Sequence, residues 1–507
     1  MLAPDYLDHA PDRLILLWQQ VEDEILQDVA RRIGKMDALT PTANWQLWRY
    51  QQTEAVRKNV VNLLARYTGK SEVEIRRLMQ EAATAALEAE DEIYYHYGKE
   101  PTPFEESAPL QNLLNAGYRQ TAGSFSNLTA TTANTVSGAF EQALDRAWLQ
   151  VSSGAFDYKT AVKRAVDGLA DSMPYVTYPS GHRDTLEVAC RRAVLTGVNQ
   201  TGAKLQEARM DEMGASFVEV TAHGRARPSH AVWQGRRYHR GGAVDYLGQH
   251  YEDFESATGY GTGAGLCGWN CRHTFFVVFP ELGSPPAWTQ ESLEALNARD
   301  IEYDGRLYTR YEISQMQRAR ERAVRKWKRR YLAEDAAGAD TTASAVKLRQ
   351  ARQSLADFTR ATGGRVDSAR TSVHGFGRSE GSKASYAARK QERFNAANTE
   401  LQQMREAGTI KAKGRLIESP SAPNEINFAS DHVLQRWAER GMGPMDAERI
   451  IRSSKVAMSQ RNGTQTCYYS ELGFVAIGQD GNVSSIGPLD EGGKKLMEVV
   501  KKHGIPH

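Results

Sequence analysis

Cys267 and Cys271 are separated by three residues, followed at once by His273 and preceded by His230, His239 and His250. Thiolates and imidazoles at such spacings are the donors a tetrahedral divalent metal takes. A zinc ion there would give a loop-rich segment folding energy that its few apolar residues cannot supply. Cys267, Cys271, His273 and His230 are the ligand set this spacing predicts for a structural zinc. A second arrangement fits the same residues: both thiols buried as small hydrophobes beside Trp269 and Phe275, with the histidines hydrogen-bonded to backbone. A catalytic zinc would need a positioned carboxylate base, for which Glu252 and Glu255 are the near candidates. The glycine run from Tyr260 to Gly265 lacks the following Gly-Lys-Ser/Thr and the strand-loop-helix frame of a phosphate loop.

Two further constellations carry charge. Residues 311–332 read as a basic helix in which Arg318, Arg322, Arg325, Lys326, Arg329 and Arg330 surround Trp327, with Glu321 opposing them. Such a helix could neutralise DNA phosphates, with binding that weakens steeply in salt, or pair with acidic side chains of a protein partner. Near the C-terminus, His432, Arg436 and Arg440 stand at i, i+4 and i+8 and project from one helix face ahead of the stop at Gly441.

The elements that must position these groups are mostly helical. Leu14, Leu17, Val21, Ile25 and Val29 predict an amphipathic helix over 11–34. A second runs from Trp45 to a close at Thr68-Gly69, and a third opens at Ser71, where Ser71-x-x-Glu74 has capping-box spacing. Residues 110–151 read as helix with a Ser/Thr/Asn-rich stretch that could kink it. Helices over 157–170 and 185–214 flank a turn at Tyr178 to Gly181, and Phe217 to Thr221 alternates as a strand. Residues 333–345 read as a flexible connection, with a helix near 345–361 and a linker over 362–383. The boundaries that follow are 1–215 (helical), 216–283 (loop-rich Cys/His module), 284–361 (helical extension with the basic helix), 362–424 (linker and helix) and 425–507 (small α+β domain). The fold class is mainly α through the N-terminal and middle region, with a small α+β Cys/His module and a small α+β C-terminal domain.

At 507 residues with 40% hydrophobic content, a formal charge of +2 and a mean hydropathy of -0.57, the chain has room for several domains and exerts no global pull toward nucleic acid. Its start lacks the basic and apolar regions of a secretion signal, and no stretch approaches the roughly 18 apolar residues of a spanning helix. These features predict a soluble, cytosolic product. Four cysteines are too few for a disulfide framework, so reduced thiols are expected.

The ordered run Arg227-Pro228-Ser229-His230-Ala231-x-Trp233-Gln234-Gly235, then Thr258-Gly259-Tyr260-Gly261, then Leu266-Cys267-Gly268-Trp269-Asn270-Cys271-Arg272-His273 resembles the phage minor capsid protein 2 family, over roughly residues 5–375. The resemblance implies a head-morphogenesis protein of the MuF-like type. Such a protein is made in the host cytoplasm, sits in the capsid interior at the portal vertex, and has the portal, other head proteins and phage DNA as partners.

Beyond it, Asp446 to Ser453 reads as a helix, Gln465–Ser470, Phe474–Gly478 and Val483–Gly487 as three strands, and Glu491 to His503 as a covering helix. With H-x-x-x-R-x-x-x-R-G before a Tyr-rich strand, this pattern resembles the barnase, EndoU, colicin and RelE-like RNase toxins. The resemblance implies a metal-independent ribonuclease: His432 as base or acid, Arg436 and Arg440 as phosphate clamp, Tyr468 or Tyr469 as positioning donor, and Ser484 or Ser485 on phosphate. It also implies RNA as substrate and, as the alternative function, an RNase effector delivered with phage DNA at infection. The competing arrangement is a small α+β domain in which His432 caps or packs and the arginines pair with Glu439 or Glu448.

Overall fold

The computed structural model describes residues 2–36, 42–172, 175–177, 182–418, 422, 426–428, 435, 437 and 439–506, and the chain forms two compact units, Met1–Glu380 and Gly381–His507. The architecture is a mainly helical N-terminal and middle region, a small strand-rich Cys/His region, and a C-terminal antiparallel sheet with helices.

In the first unit, α1 (Pro4–His9) and α2 (Asp12–Ile33) lead into α3 (Thr42–His96), α4 (Ala108–Ser152), α5 (Tyr158–Ser172) and α6 (Leu186–Met213). The apolar stripe of α2 is buried as its periodicity requires, with Leu14, Trp18, Val21 and Ile25 fully enclosed among residues of α3, α4 and α6. The break expected at Gly69 and Ser71 does not occur. Instead α3 is one helix of 55 residues. Ser71 is not a cap: its hydroxyl donates to Tyr67 O at 2.8 Å and accepts the indole N–H of buried Trp18 at 3.0 Å. Tertiary packing offsets the roughly 1 kcal/mol that a mid-helix glycine costs. The Ser/Thr-rich part of α4 also stays helical, its hydroxyls bonding back to carbonyls four residues earlier, as Thr121 does to Gly117 and Ser137 to Ala133.

Helices α4 and α6 approach closely through a reciprocal pair. A Cβ at Gly117 would lie 2.1 Å from Thr201 Oγ1, and one at Gly197 would lie 2.1 Å from Thr121 Oγ1. The strands Tyr175–Thr177 and Arg183–Thr185 pair antiparallel, while the turn read at Tyr178 to Gly181 lies outside the described residues.

Next come three strands, β1 (Phe217–Val220), β2 (Arg237–His239) and β3 (Phe275–Val277), with β1 central and antiparallel to both others. The hairpin Ile301–Tyr303/Arg306–Tyr308 precedes α7 (Arg310–Ala336), the basic helix, which opens with a capping box of Thr309 and Glu312. Only residues 337–341 separate it from α8 (Thr342–Ala361), so most of the expected flexible connection is helix. Residues 362–380, read as the start of a linker, belong to the first unit: Thr371 O accepts from Lys328 Nζ, and His374 N–H donates to Asp23 at 2.7 Å.

The second unit holds all but the first residues of α9 (Arg378–Glu406), then β4 (Arg415–Glu418), α10 (Pro444–Ser453), β5 (Val456–Gln460), β6 (Gln465–Ser470), β7 (Gly473–Gly478), β8 (Val483–Gly487) and α11 (Glu491–Lys502). The five strands form an antiparallel meander in chain order. Three were expected; β4 and β5 are additions. Side-chain alternation splits the core in two. Cys467 and Tyr469 pack with Phe394 and Leu401 of α9 and Leu496 and Val500 of α11, whereas Tyr468, Val475 and Ile486 pack with Ile450 of α10.

All four cysteines are buried and free. Among the described residues no helix is long and apolar enough to cross a membrane.

Candidate metal centre and the cationic cavity beside it

The Cys/His module is built on the central strand. At the end of β1, Thr221 N–H donates to Thr274 O at 2.9 Å, and Thr274 N–H returns a bond to Thr221 Oγ1 at 2.9 Å. The segment entering β3 is thereby fastened beside the segment leaving β1. The first of these segments carries Cys271 and His273. The helical turn Pro228–Ala231 presents His230. Between them the chain doubles back so tightly that only glycine fits: a Cβ on Gly265 would lie 1.9 Å from Gly259 O, and one on Gly268 would lie 2.4 Å from Gly263 O. Trp233, Tyr238, Phe254 and Phe275 form the buried core beneath.

His230, Cys271 and His273 converge as a buried group that could hold a metal ion. The two Nδ1 atoms are 3.4 Å apart, and Cys271 Sγ lies 3.7 Å from His230 Nδ1 and 3.6 Å from His273 Nδ1. Zinc–ligand lengths of about 2.0–2.1 Å to nitrogen and about 2.3 Å to sulfur imply tetrahedral edges of about 3.4 Å and 3.6 Å. The edges of the triangle therefore match those such an ion would set. Each imidazole is oriented from behind: His230 Nε2 lies 2.9 Å from Ala264 O, and His273 Nε2 lies 3.0 Å from the Oε1 of buried Gln234. Donation of both Nε2 protons to these oxygens leaves both Nδ1 lone pairs facing the centre. Burial holds the His230 imidazole down at about 4, and His273 well below the usual histidine range, so both are neutral donors at pH 7. Burial also raises the Cys271 thiol, which a metal would deprotonate on binding.

Cys267 does not join the other three. Its Sγ lies 3.6 Å from the carbonyl oxygen of His273, and its backbone takes φ of 57°. His239 bonds Gly242 O at 2.7 Å, and exposed His250 pairs with Asp245 at 2.7 Å, so neither approaches the centre. Of the residues named for the hydrophobic alternative, Phe275 is buried but Trp269 is 59% exposed.

The three convergent residues line one wall of a cavity of about 730 Å³ whose other walls come from α5, α6, α7 and Arg370, and whose lining carboxylates are Asp171, Glu187 and Glu321. Sequence reasoning missed this cavity. Asp8 of α1 lies beside it with Arg272 at 2.8 Å, Arg225 at 3.5 Å, Arg370 at 3.6 Å and Arg318 at 3.7 Å. Burial alone would raise the Asp8 carboxyl, but Arg272, Arg370 and Arg318 hold it down at about 2. His223, also on the wall, stacks on His273 with ring centroids 4.4 Å apart.

The basic helix turns its charge inward. Arg318 joins Asp8, Arg325 pairs with Glu187, Lys326 reaches Asp171 at 3.0 Å, Arg329 lies between Glu22 and Asp23, and Arg330 meets Asp167. Of the six, Arg322 alone has no partner among the described residues. With the helix so neutralised, DNA binding by full-length protein is expected to show a log–log salt slope no steeper than about -2, from Arg322 and half-exposed Lys326, against about -5 for six free cations. A filter-binding titration over salt concentration checks this.

In the second unit, His432 and Arg436 lie outside the described residues. Arg440 Nη1 donates to Ile486 O at 2.6 Å. Tyr468 is 2% exposed, in the core under α10, and burial raises its phenol. Ser484 Oγ accepts from Gln465 Nε2 at 2.5 Å and donates to Ala476 O at 3.2 Å. Tyr468 and Ser484 thus occupy structural hydrogen-bonding or packing positions in the sheet.

The profile of a family described as Phage minor capsid protein 2 matches residues 2–360. No curated protein and no solved structure matches the chain.

Proposed function

The chain belongs to the phage minor capsid protein 2 family, and from that premise we propose that it is a head-morphogenesis component associated with the portal inside the virion, its Cys/His module organised around a zinc ion held by His230, Cys271 and His273. Membership implies a virion location and head-protein partners. The observation carrying the proposal is that the family match takes in the whole helical assembly, the metal centre and α7, and ends before the second unit begins. A family match spanning such an extent as one piece suits a protein whose task is to dock. Mass spectrometry of purified virions should find the chain, and image reconstruction should place it at the portal vertex. Particles without it at the neck and in the shell would end the reading.

A second reading concerns residues 381–507, a compact unit with its own two-sided core that lies beyond the family match. This separateness favours a passenger, and the passenger proposed is the metal-independent ribonuclease, with His432 as base or acid and Arg436 and Arg440 on phosphate. Full-length protein is expected to cleave RNA without added divalent metal, and His432→Ala to slow cleavage by about a hundredfold or more with the fold unchanged. An equal rate for the variant would remove His432 from the mechanism.

A further inference from the structure

Among the described residues the centre formed by His230, Cys271 and His273 has three protein ligands where a closed structural zinc site has four, and all three line the same cavity. We propose that the fourth coordination position opens onto this cavity and takes a phosphoryl oxygen of a small phosphate-bearing molecule, a proposal that rests on the metal reading above.

Charge is the first argument. A divalent ion bound by one thiolate and two neutral imidazoles keeps a net positive charge, which an anionic oxygen would neutralise. The surrounding wall adds to that charge. Asp8 is one carboxylate shared by Arg272, Arg225, Arg370 and Arg318. Arg322 also lines the cavity, with no partner among the described residues, and Arg227 donates to the carbonyls of Ala264 and Trp269 at 3.3 and 3.4 Å. Burial, with Arg272 and Arg370 beside it, pushes the Arg318 guanidinium down to about 10. Cations held together in a walled cavity repel one another unless an anion enters. Guanidinium forks match phosphate oxygens, and several converging forks suit a group with three free oxygens better than a carboxylate with two.

Hydrogen bonding is the second argument. His223 Nδ1 accepts the N–H of Arg225 at 3.2 Å, so the ring carries its proton on Nε2. Among the described residues that Nε2 is buried with no partner, in a residue on the cavity wall. It is a donor waiting for an acceptor, and the cavity supplies the space for one. Its volume is within the roughly 300–1,000 Å³ of small-molecule sites.

The test uses full-length protein loaded with Co²⁺, whose visible absorption reports the coordination shell, titrated with inorganic phosphate and in parallel with acetate. Phosphate should shift the cobalt bands at concentrations where acetate does not. Arg322→Ala, at an exposed position, should keep its cobalt and need about tenfold more phosphate or higher. Cys267→Ala should keep both cobalt and the response. Cobalt bound with a spectrum that phosphate leaves unmoved, or that acetate moves equally, overturns this inference alone. Loss of cobalt from Cys267→Ala would show a closed four-ligand site and overturn it too. If His230, Cys271 and His273 bind no cobalt at all, the metal reading falls and this inference falls with it.

Discussion

Replacing Arg329 by Met is expected to lower the unfolding free energy of the first unit by about 3–5 kcal/mol. Arg329 Nε lies 2.6 Å from Asp23 Oδ1, and Nη2 bonds Glu22 Oε2, both carboxylates being 1% exposed. Burial alone would lower the guanidinium's proton affinity, yet Asp23 and Glu22 raise it above the usual arginine value. The variant leaves two buried anions facing each other without their bonded cation, only Arg325 remaining nearby. Backbone bonds from His374 to Asp23 at 2.7 Å and from Glu187 to Glu22 at 3.2 Å remain, which are too little to replace the guanidinium. Urea unfolding followed by tryptophan fluorescence reads this well, because eight of the nine tryptophans lie in the first unit. Adding Glu22→Gln and Asp23→Asn to the variant should recover most of the loss, since an uncharged set of similar volume is close to neutral. A cost under about 1 kcal/mol would mean that α7 does not need these pairs, and the helix would regain its cations for DNA.

Cys271→Ser is expected to abolish metal binding and to loosen the module locally. The module already has a core of Trp233, Tyr238, Phe254 and Phe275, so the loss should be on the order of 5–10 kcal/mol, below the roughly 10–16 kcal/mol that zinc supplies to peptides with no other core. The segment from Gly259 to Asn270, which runs between the two parts of the metal site with little secondary structure of its own, should then be cut by protease where the wild type is not. An unchanged digestion pattern would assign the order of this loop to its glycine contacts and apolar core alone.

What was legible beforehand follows from which interactions are local. The helix α2 could be read to within a residue or two, because its apolar stripe and the Gly34 stop are written in consecutive positions. The continuity of α3 could not, since Ser71 resembles a cap until Trp18, 53 residues away, donates to its hydroxyl. For α7 the periodicity and the cations were plain but their purpose was not. The carboxylates that engage them, Asp8, Glu22, Asp23, Asp167, Asp171 and Glu187, lie far back in the chain and carry no pattern of their own. In the Cys/His module the donor types were evident, whereas the sorting of Cys271 from Cys267 depends on a positive-φ loop that sequence does not trace. The strands β4 and β5 escaped because RLIE and VAMSQ are short and lack clear alternation, gaining their register only from pairing with β6 and each other.

The most direct test of the metal centre is elemental analysis of purified full-length protein beside its Cys271→Ser variant. About one zinc per chain in the wild type, and close to none in the variant, is the result predicted by the triangle of His230, Cys271 and His273. Less than about one zinc per two chains in the wild type, or an equal content in the variant, would contradict it.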